Sequence, residues 1–352
     1  METNELSARA LGGTEAMLAA LHARLDPELA RHFQIIPSRA RQLAADRKRI
    51  FWLHDTPSEE EAKFLASPDN LARFDGLVCV SHYQACLYNL IPQVPYRKMV
   101  VLQNAIEPFG AYRPRRGATI RLIYHTTPHR GLEILVPVFE HLAKVHPDIE
   151  LDVFSSFNIY GWAQRDEPYR QLFDRCRAHP RIRYHGAQPN HVVRETLRDC
   201  DIFAYPSIWP ETSCVAAIEA LSSGCLVICP AYGALPETCA NFASLYPFTE
   251  DRQSHAERFC LALDAAIRAV KRRAHEDATA RSFQVDYFNR FYSWDRRITE
   301  WNAYLRGLFC RRASIRSDRF RVFPGAARRS SALRLNNHRP VLPSPLLCLF
   351  EK

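Results

Sequence analysis

The most constraining feature of this sequence is a stretch near its middle, in which two short apolar runs flank a loop and a helical pattern. Residues 202–205 and 226–229 are apolar and have the length of buried strands, and the helical pattern between them ends at Gly224. A strand, a helix and a second strand in close succession predict a parallel β-α-β unit. Sheets of this kind bind ligands beyond the carboxyl ends of their strands, so the loop after Tyr205 is the predicted ligand site.

This loop carries several candidate binding residues. The helix is predicted to begin at Thr212 or Ser213, which are good N-caps, and the free N–H groups of a first turn that includes Cys214 attract anions. Glu211 and Glu219 bracket the turn, and carboxylates beside an anion site are suited to accept hydrogen bonds from hydroxyl groups. A ligand that has both phosphate and many hydroxyl groups is a nucleotide-sugar.

The two acids and their surroundings resemble a known family. Glu211 and Glu219 are separated by seven residues, PSIWP precedes them, and EALSSGCLVI and GALPE complete the stretch. This pattern resembles the E-x7-E signature of retaining glycosyltransferases of the GT-B fold, family four. The resemblance extends over about residues 11–305 and implies an α/β protein whose two Rossmann-like domains face each other across a cleft. It also implies that Glu211 faces the donor sugar and that Glu219 holds the ribose hydroxyls.

Three further residues match positions of the same family. The resemblance places Gly13, in a Gly-Gly turn before a helix, under the donor diphosphate. It places His54, at the end of a predicted strand, against the transferred sugar on the acceptor side. Arg130 matches the cation of the family's Lys-Gly element, but the family's earlier Arg is absent and the residues HTT at 125–127 lie near its position. A tight turn, a strand-end His and a solvent-exposed Arg are the purely structural alternatives.

The sequence predicts neither a metal site nor a cofactor. The nucleoside-diphosphate-sugar is the donor substrate, so it is not counted as a cofactor. Asp199-Cys200-Asp201 has the D-x-D form of the other large glycosyltransferase fold, but it lies between a helix and a buried strand, where the resembled family has an Asp as a turn residue. The eleven cysteines lack metal-ligand spacing. No G-x-G-x-x-G is present, which disfavours a dinucleotide oxidoreductase.

The pattern divides the chain into four predicted segments. Residues 1–110 form a Rossmann-like domain on the acceptor side, and 119–280 form the donor-binding domain, with a Pro-, Gly- and Arg-rich hinge between them at 107–118. A helical region at 281–308 crosses back to the first domain, as the resemblance implies. The last segment, 309–352, is basic and without period, which predicts disorder. The first ten residues have too few apolar side chains for the family's first strand, so the first domain is predicted to lack it.

The net charge of +9 is concentrated in the last segment. Residues 310–352 carry nine Arg and one Lys against two acids, which gives +8 and leaves the rest of the chain nearly neutral. A neutral body argues against nucleic acid as a partner. The basic tail either contacts an anionic membrane surface or is solvated without a role. The polar first residues and the short apolar runs predict a cytoplasmic protein, either free or peripheral at the inner face of the membrane.

Two functions are consistent with these observations. The first is transfer of a sugar from a nucleoside-diphosphate-sugar to a hydroxyl of a glycan or lipid-linked glycan, with retention and without metal. In it Glu211, His54 and Arg130 are the catalytic residues. The alternative is a truncated or degenerate homologue that binds nucleotide-sugar without turnover, which the missing first strand and the absent Arg favour.

Overall fold

Two parallel sheets organise the chain. The computed structural model describes residues 13–40, 42–115, 117–272 and 278–317 of the 352. In these ranges the first sheet has four strands and the second has six, and paired strands run parallel in both. The strands are β1 (Phe33–Pro37), β2 (Lys48–Trp52), β3 (Gly76–Cys79), β4 (Met99–Val101), β5 (Ile120–Tyr124), β6 (Ile149–Val153), β7 (Ile182–Tyr184), β8 (Ile202–Ala204), β9 (Leu226–Pro230) and β10 (Ser244–Tyr246).

Helices connect most of the strands, as parallel connections require, and their apolar faces cover the sheets. The α-helices are α1 (Gly13–His22), α2 (Pro27–Ala30), α3 (Pro68–Ala72), α4 (His82–Leu90), α5 (Leu132–Val145), α6 (Arg170–Ala178), α7 (Asn190–Leu197), α8 (Val215–Ser223), α9 (Leu235–Cys239), α10 (Arg252–Arg272), α11 (Ala278–Phe291) and α12 (Trp294–Ser317). Together with the sheets they confirm the predicted α/β class.

The first sheet has its strands in chain order, β1-β2-β3-β4. Apolar residues of α1 and α12 pack on it around buried side chains of β1 and β2. We call residues 13–106 together with 294–310 the first half of the molecule, and residues 107–292 the second half. The prediction of a missing first strand concerns residues 1–10, which lie outside the described residues.

The second sheet has the order β10-β9-β8-β5-β6-β7, so β5 and β8 are neighbours although they are far apart in sequence. Their pairing joins Leu122 to Ile202 and Ile123 to Phe203, and all four side chains are fully buried. The chain leaves β5 towards β6 on one side and leaves β8 towards β9 on the other. This change of direction opens a crevice at the carboxyl ends of the two strands.

The segment predicted as a hinge lies against the second half. The Phe109 N–H donates to Asn289 Oδ1 at 3.0 Å, and Arg115 forms an ion pair with Asp201. The ring of Tyr112 packs on Gly224, where an added Cβ would lie 2.6 Å from a ring carbon. These contacts hold residues 109–115 on the second half.

The chain passes between the halves at two places that touch each other. The N–H of Ile106 donates to the Tyr292 carbonyl at 2.8 Å, and Ile106 also forms an isolated parallel bridge with Ser293. The break at 292–293 separates α11 from α12, which the sequence had merged into one helical region.

Helix α12 continues to Ser317, beyond the predicted end at residue 308, because Arg and Ala in this stretch favour helix. The remainder of the predicted tail, 318–352, lies outside the described residues, and its contact with a membrane stays a prediction. In the part of the chain that the structure describes, no helix combines the length and the apolar character needed to cross a bilayer.

Candidate active site

A cavity of about 410 Å³ opens between the crevice of the second sheet and the first half. His54, Asn104 and residues of α1 form one wall, and the loops after β5 and β8 form the other. Seven of the eight predicted site residues line it: His54, Arg130, Glu211, Thr212, Ser213, Cys214 and Glu219. Their roles remain predictions, but the structure brings them together in one place.

Gly13 is the eighth predicted residue, and it is the first residue of α1. The part of this helix that lines the cavity is formed by Thr14, Met17 and Ala20. The proposed contact of Gly13 with a diphosphate therefore stays a prediction.

Glu211 is buried at the centre of the site, with 4% of its surface exposed. Arg130 Nη1 forms an ion pair with its Oε1, and the Tyr205 hydroxyl donates to the same oxygen. Within the described residues both hydrogen bonds to this carboxylate end on Oε1, which leaves Oε2 open to a ligand. Buried charges need such partners, because an unpaired one is costly.

Arg130 comes from the loop after β5, in a 3-10 turn (Pro128–Arg130) that leads into α5. Burial acts to lower the pKa of its guanidinium, but the adjacent Glu211 carboxylate more than offsets this and holds the pKa above its usual value. Gly131 allows the close approach of the two loops, because its φ is +126° and an added Cβ would lie 2.1 Å from the Pro206 carbonyl oxygen. Arg130 and Glu211 therefore meet because β5 and β8 are neighbours.

Glu219 lies on α8 and is also buried. It accepts hydrogen bonds from Asn190 Nδ2 at 3.1 Å and from Arg194 Nη1 at 3.0 Å. Burial raises the pKa of Glu219, although Arg194 acts in the opposite direction. Neither partner was predicted from the sequence, although their spacing of four residues places them on one face of α7 and was a usable signal.

The start of α8 differs from the prediction. The helix begins at Val215 with Cys214 as its N-cap, so the prediction that it begins at Thr212 or Ser213 is wrong. The Thr212 hydroxyl donates instead to the His54 carbonyl at 2.7 Å and so contacts the first half. The Ser213 carbonyl lies 3.4 Å from Asn104 Nδ2, also across the cleft. Of the three predicted anion-binding residues, only Cys214 belongs to the helix terminus.

Three residues that line the same cavity have buried polar atoms without a partner. His54 Nε2, His125 Nε2 and Asn104 Oδ1 are buried and have no hydrogen-bond partner among the described residues. Burial lowers the pKa of His54 and of His125 to about 3, so both imidazoles are neutral near pH 7. A buried polar atom without a partner costs about 1–3 kcal/mol.

The D-x-D residues lie away from this cavity and have structural contacts. Asp201 accepts the backbone N–H of Arg121 at 2.8 Å and pairs with Arg115, and exposed Asp199 lies 3.6 Å from Arg121. In the described ranges no three His, Cys, Asp or Glu side chains are grouped as metal ligands.

Comparisons with known proteins extend these observations. Residues 118–278 match the family described as glycosyl transferases group 1. The phosphatidylinositol N-acetylglucosaminyltransferase GPI3 subunit of Saccharomyces cerevisiae (strain ATCC 204508 / S288c) is 23% identical over 237 residues, which are 64% of this chain and 49% of the yeast protein. The chain thus spans about half the length of this relative.

Two solved structures have the same fold at low sequence identity. A glycosyltransferase from Rickettsia africae ESF-5 aligns with a TM-score of 0.59 and 16% identity, covering 88% of this chain and 84% of its own. Anabaena HepE in complex with UDP-glucose aligns with a TM-score of 0.53 and 15% identity, covering 75% and 72%. The chain has the GT-B fold, and the part of it that matches the glycosyl transferases group 1 family, residues 118–278, contains Arg130, Glu211 and Glu219.

Proposed function

We propose that this protein is a glycosyltransferase that moves a sugar from a nucleoside-diphosphate-sugar to an acceptor hydroxyl. One observation carries the proposal: Arg130 and Glu211 meet at the crevice of the second sheet, in a cavity that His54 closes from the other half. The cation Arg130 suits a phosphate, and Glu211 has one carboxylate oxygen open to a donor sugar. The imidazole of His54, whose Nε2 has no hydrogen-bond partner among the described residues, suits an acceptor.

The donor binds mainly to the second half. Glu219, held by Asn190 and Arg194, accepts hydrogen bonds from the ribose hydroxyls. The diphosphate lies at the start of α8, where the first N–H groups of a helix have no intrahelical partner and attract anions. Glu211 binds the donor sugar through Oε2. The UDP-glucose bound to HepE, a protein of the same fold, supports this class of donor.

In the reaction the bond between the anomeric carbon and the diphosphate oxygen breaks, and the acceptor oxygen forms the new bond. The nucleoside diphosphate leaves, and the proton of the acceptor hydroxyl is released. Negative charge develops on the leaving phosphate, and Arg130 is close enough to the site to stabilise it. We propose retention and metal independence as well, and they are tested by the anomeric configuration of the product and by activity in EDTA.

The yeast relative suggests a first choice of substrates. Its name specifies transfer of N-acetylglucosamine to phosphatidylinositol. We therefore propose an N-acetylhexosamine or hexose donor and a lipid-linked acceptor for this chain. Labelled UDP-N-acetylglucosamine with phosphatidylinositol vesicles is the first pair to assay, followed by other UDP- and GDP-sugars.

Two substitutions test the assignment. Glu211→Gln and Arg130→Lys should each lower kcat by about 10²–10³, the effect of removing one preorganised polar group from a transition state. The change to Lys keeps the charge but removes the planar fork. Asp199→Asn is the matched control and should leave kcat unchanged. Wild-type rates in both site variants would contradict the proposal. So would an activity that requires a divalent ion and is lost in Asp199→Asn.

A second candidate is a protein that binds nucleotide-sugar without turnover. It is favoured by the pairing of the cavity's arginines, because Arg130 and Arg194 each already contact an acid among the described residues. A diphosphate must then share Arg130 with Glu211. Calorimetry with UDP, combined with an assay for donor hydrolysis, separates the two candidates: binding without any release of sugar supports the second.

A further inference from the structure

Glu237 links the two halves of the molecule. It lies in the first turn of α9 and ends the GALPE stretch. Its Oε1 accepts the backbone N–H of His82 at 2.9 Å, and its Oε2 accepts that of Tyr83 at 2.9 Å. Gln103 Nε2 lies 3.4 Å from Oε1. One side chain of the second half thus binds three groups of the first half.

The two N–H groups are the first of helix α4, where intrahelical partners are absent. The third N–H, of Gln84, is bonded within the first half by Ser81 Oγ at 3.0 Å. Among the described contacts, the N–H groups of His82 and Tyr83 have Glu237 as their hydrogen-bonding acceptor. A carboxylate is well suited to this position, because the start of a helix carries partial positive charge.

The same short helix is attached to the candidate active site at its other side. The Ala234 N–H, just before α9, donates to the Glu211 carbonyl at 2.7 Å. Gly233 packs on the Glu211 backbone so closely that an added Cβ would lie 2.7 Å from both its N and its O. Helix α9 therefore connects Glu211 directly to α4.

This connection sets the distance between the two walls of the cavity. His54 follows β2 in the first half, and its carbonyl accepts the Thr212 hydroxyl next to Glu211. A single contact of this kind is weak, but Glu237 adds two charge-assisted hydrogen bonds to the same alignment. Loss of Glu237 would leave Glu211 and His54 less well placed relative to each other.

We propose that Glu237 is a positioning residue for sugar transfer, which holds the first half against the second by binding the start of α4. The inference rests on the proposed function. It predicts that the Glu237 carboxylate affects the chemical step and not donor affinity, because the donor binds mainly to the second half.

Hydrogen exchange tests the contact without any activity assay. In Glu237→Gln the amide replaces one acceptor oxygen by an NH₂ donor, so one of the two backbone N–H groups loses its acceptor. Exchange at His82 or at Tyr83 should become at least about tenfold faster, since protection of such groups depends on their hydrogen bonds. Glu257→Gln, an exposed acid on α10, is the control and should not change it. Unchanged exchange in Glu237→Gln would overturn the proposal.

A backbone substitution removes the contact from the other side. His82 is the first residue of α4, where proline is tolerated, and Ser81 is extended at φ −158° and ψ 161°, as a residue before proline prefers. His82→Pro deletes one N–H that Glu237 accepts. His82→Ala is the matched control, because it removes the exposed side chain but keeps the N–H.

Kinetics then test the positioning role. Glu237→Gln and His82→Pro should each lower kcat by about 10- to 100-fold, as expected for misplaced reacting groups, with donor KM within about twofold. The double variant should be no slower than the slower single one, because both remove the same contact. A normal kcat in both variants, or full additivity, would overturn the proposal. If the wild type proves inactive, the proposed function fails, and the exchange experiment still decides whether Glu237 joins the halves.

Discussion

Gly233 is the residue at which backbone conformation and the candidate active site meet. Its φ is +60°, and its Cα faces the Glu211 backbone and the Pro210 carbonyl carbon, which a Cβ would approach to 2.9 Å or less. Backbone cannot move away as the end of a flexible side chain can. Any side chain at this position must therefore displace Glu211.

We expect Gly233→Ala to lower kcat at least about tenfold, because it shifts the carboxylate that faces the donor sugar. Gly110→Ala is the control, because it introduces backbone strain without a steric clash. Gly110 also has positive φ, at +86°, but nothing lies within 4 Å of an added Cβ. Both variants should lose about 1–3 kcal/mol of stability through strain, and only Gly233→Ala should lose activity. Steady-state rates and urea titrations measure the two effects, and equal activity of the two variants would contradict the assignment.

At the level of single residues, the motif led to two acids that lie in the same cavity, and their roles stay predictions. Glu211 and Glu219 line the cavity as the E-x7-E pattern implies. Their partners were harder to find. Arg130 reaches Glu211 only because two strands distant in sequence pair in the sheet, and such a neighbour cannot be read from local spacing. Tyr205 lies six residues before Glu211 on the same loop, but nothing in the sequence shows that its hydroxyl turns towards that acid. The closing of the cavity by His54 depends likewise on the packing of two halves.

Helix α12 is the element that completes the core of the first half. Trp301 is buried in it, and its ring packs edge-on against Trp52 of β2, with ring centroids 5.2 Å apart. Leu305 follows one turn later in the same cluster. The first sheet therefore depends on a helix that the chain supplies only after the second half is complete.

We expect Trp301→Ala to destabilise the protein by about 3–5 kcal/mol, because it leaves a large cavity in a buried cluster. Trp301→Phe fills part of that space and should cost less. Urea unfolding followed by circular dichroism measures both changes. A loss below 1 kcal/mol in Trp301→Ala would show that α12 contributes little to the first half.

Strands and long helices were predictable because their apolar residues follow the periods of buried elements. The start of α8 was not predictable from the sequence, because the Thr212 hydroxyl forms a tertiary hydrogen bond to the His54 carbonyl and does not cap the helix. Strand β10 was missed for another reason. It is a three-residue strand at the edge of the sheet, and Ser244 in it is exposed, so its sequence has no strand period.

For the whole molecule, two neutral imidazoles make stability depend on pH. The pKa of His54 and of His125 is about 3 in the folded protein, because desolvation disfavours the charged ring, against 6.5 for an unperturbed imidazole. Between these values the unfolded chain binds the proton and the folded protein does not. The free energy of unfolding is therefore not reduced by these two groups above pH 6.5, and it falls as the pH decreases from 6.5 towards 3.

We expect the free energy of unfolding to fall by about 1.4 kcal/mol per pH unit for each of these groups between pH 6 and pH 4. Urea titrations at pH 7, 6 and 5 measure this dependence. His125→Asn removes one titrating group and should flatten it, whereas His191→Asn, at an exposed position, should not. An equal pH dependence in wild type and His125→Asn would contradict the prediction.

The bridge between Ile106 and Ser293 has a consequence for motion of the whole molecule. The two chain connections between the halves lie next to each other at this point, and residues 109–115 are held on the second half. Two adjacent connections restrict the relative motion of the halves, so we expect rotation about one axis and little twisting. Because Ile106 also lines the cavity, a swing at this point changes the shape of the candidate active site itself.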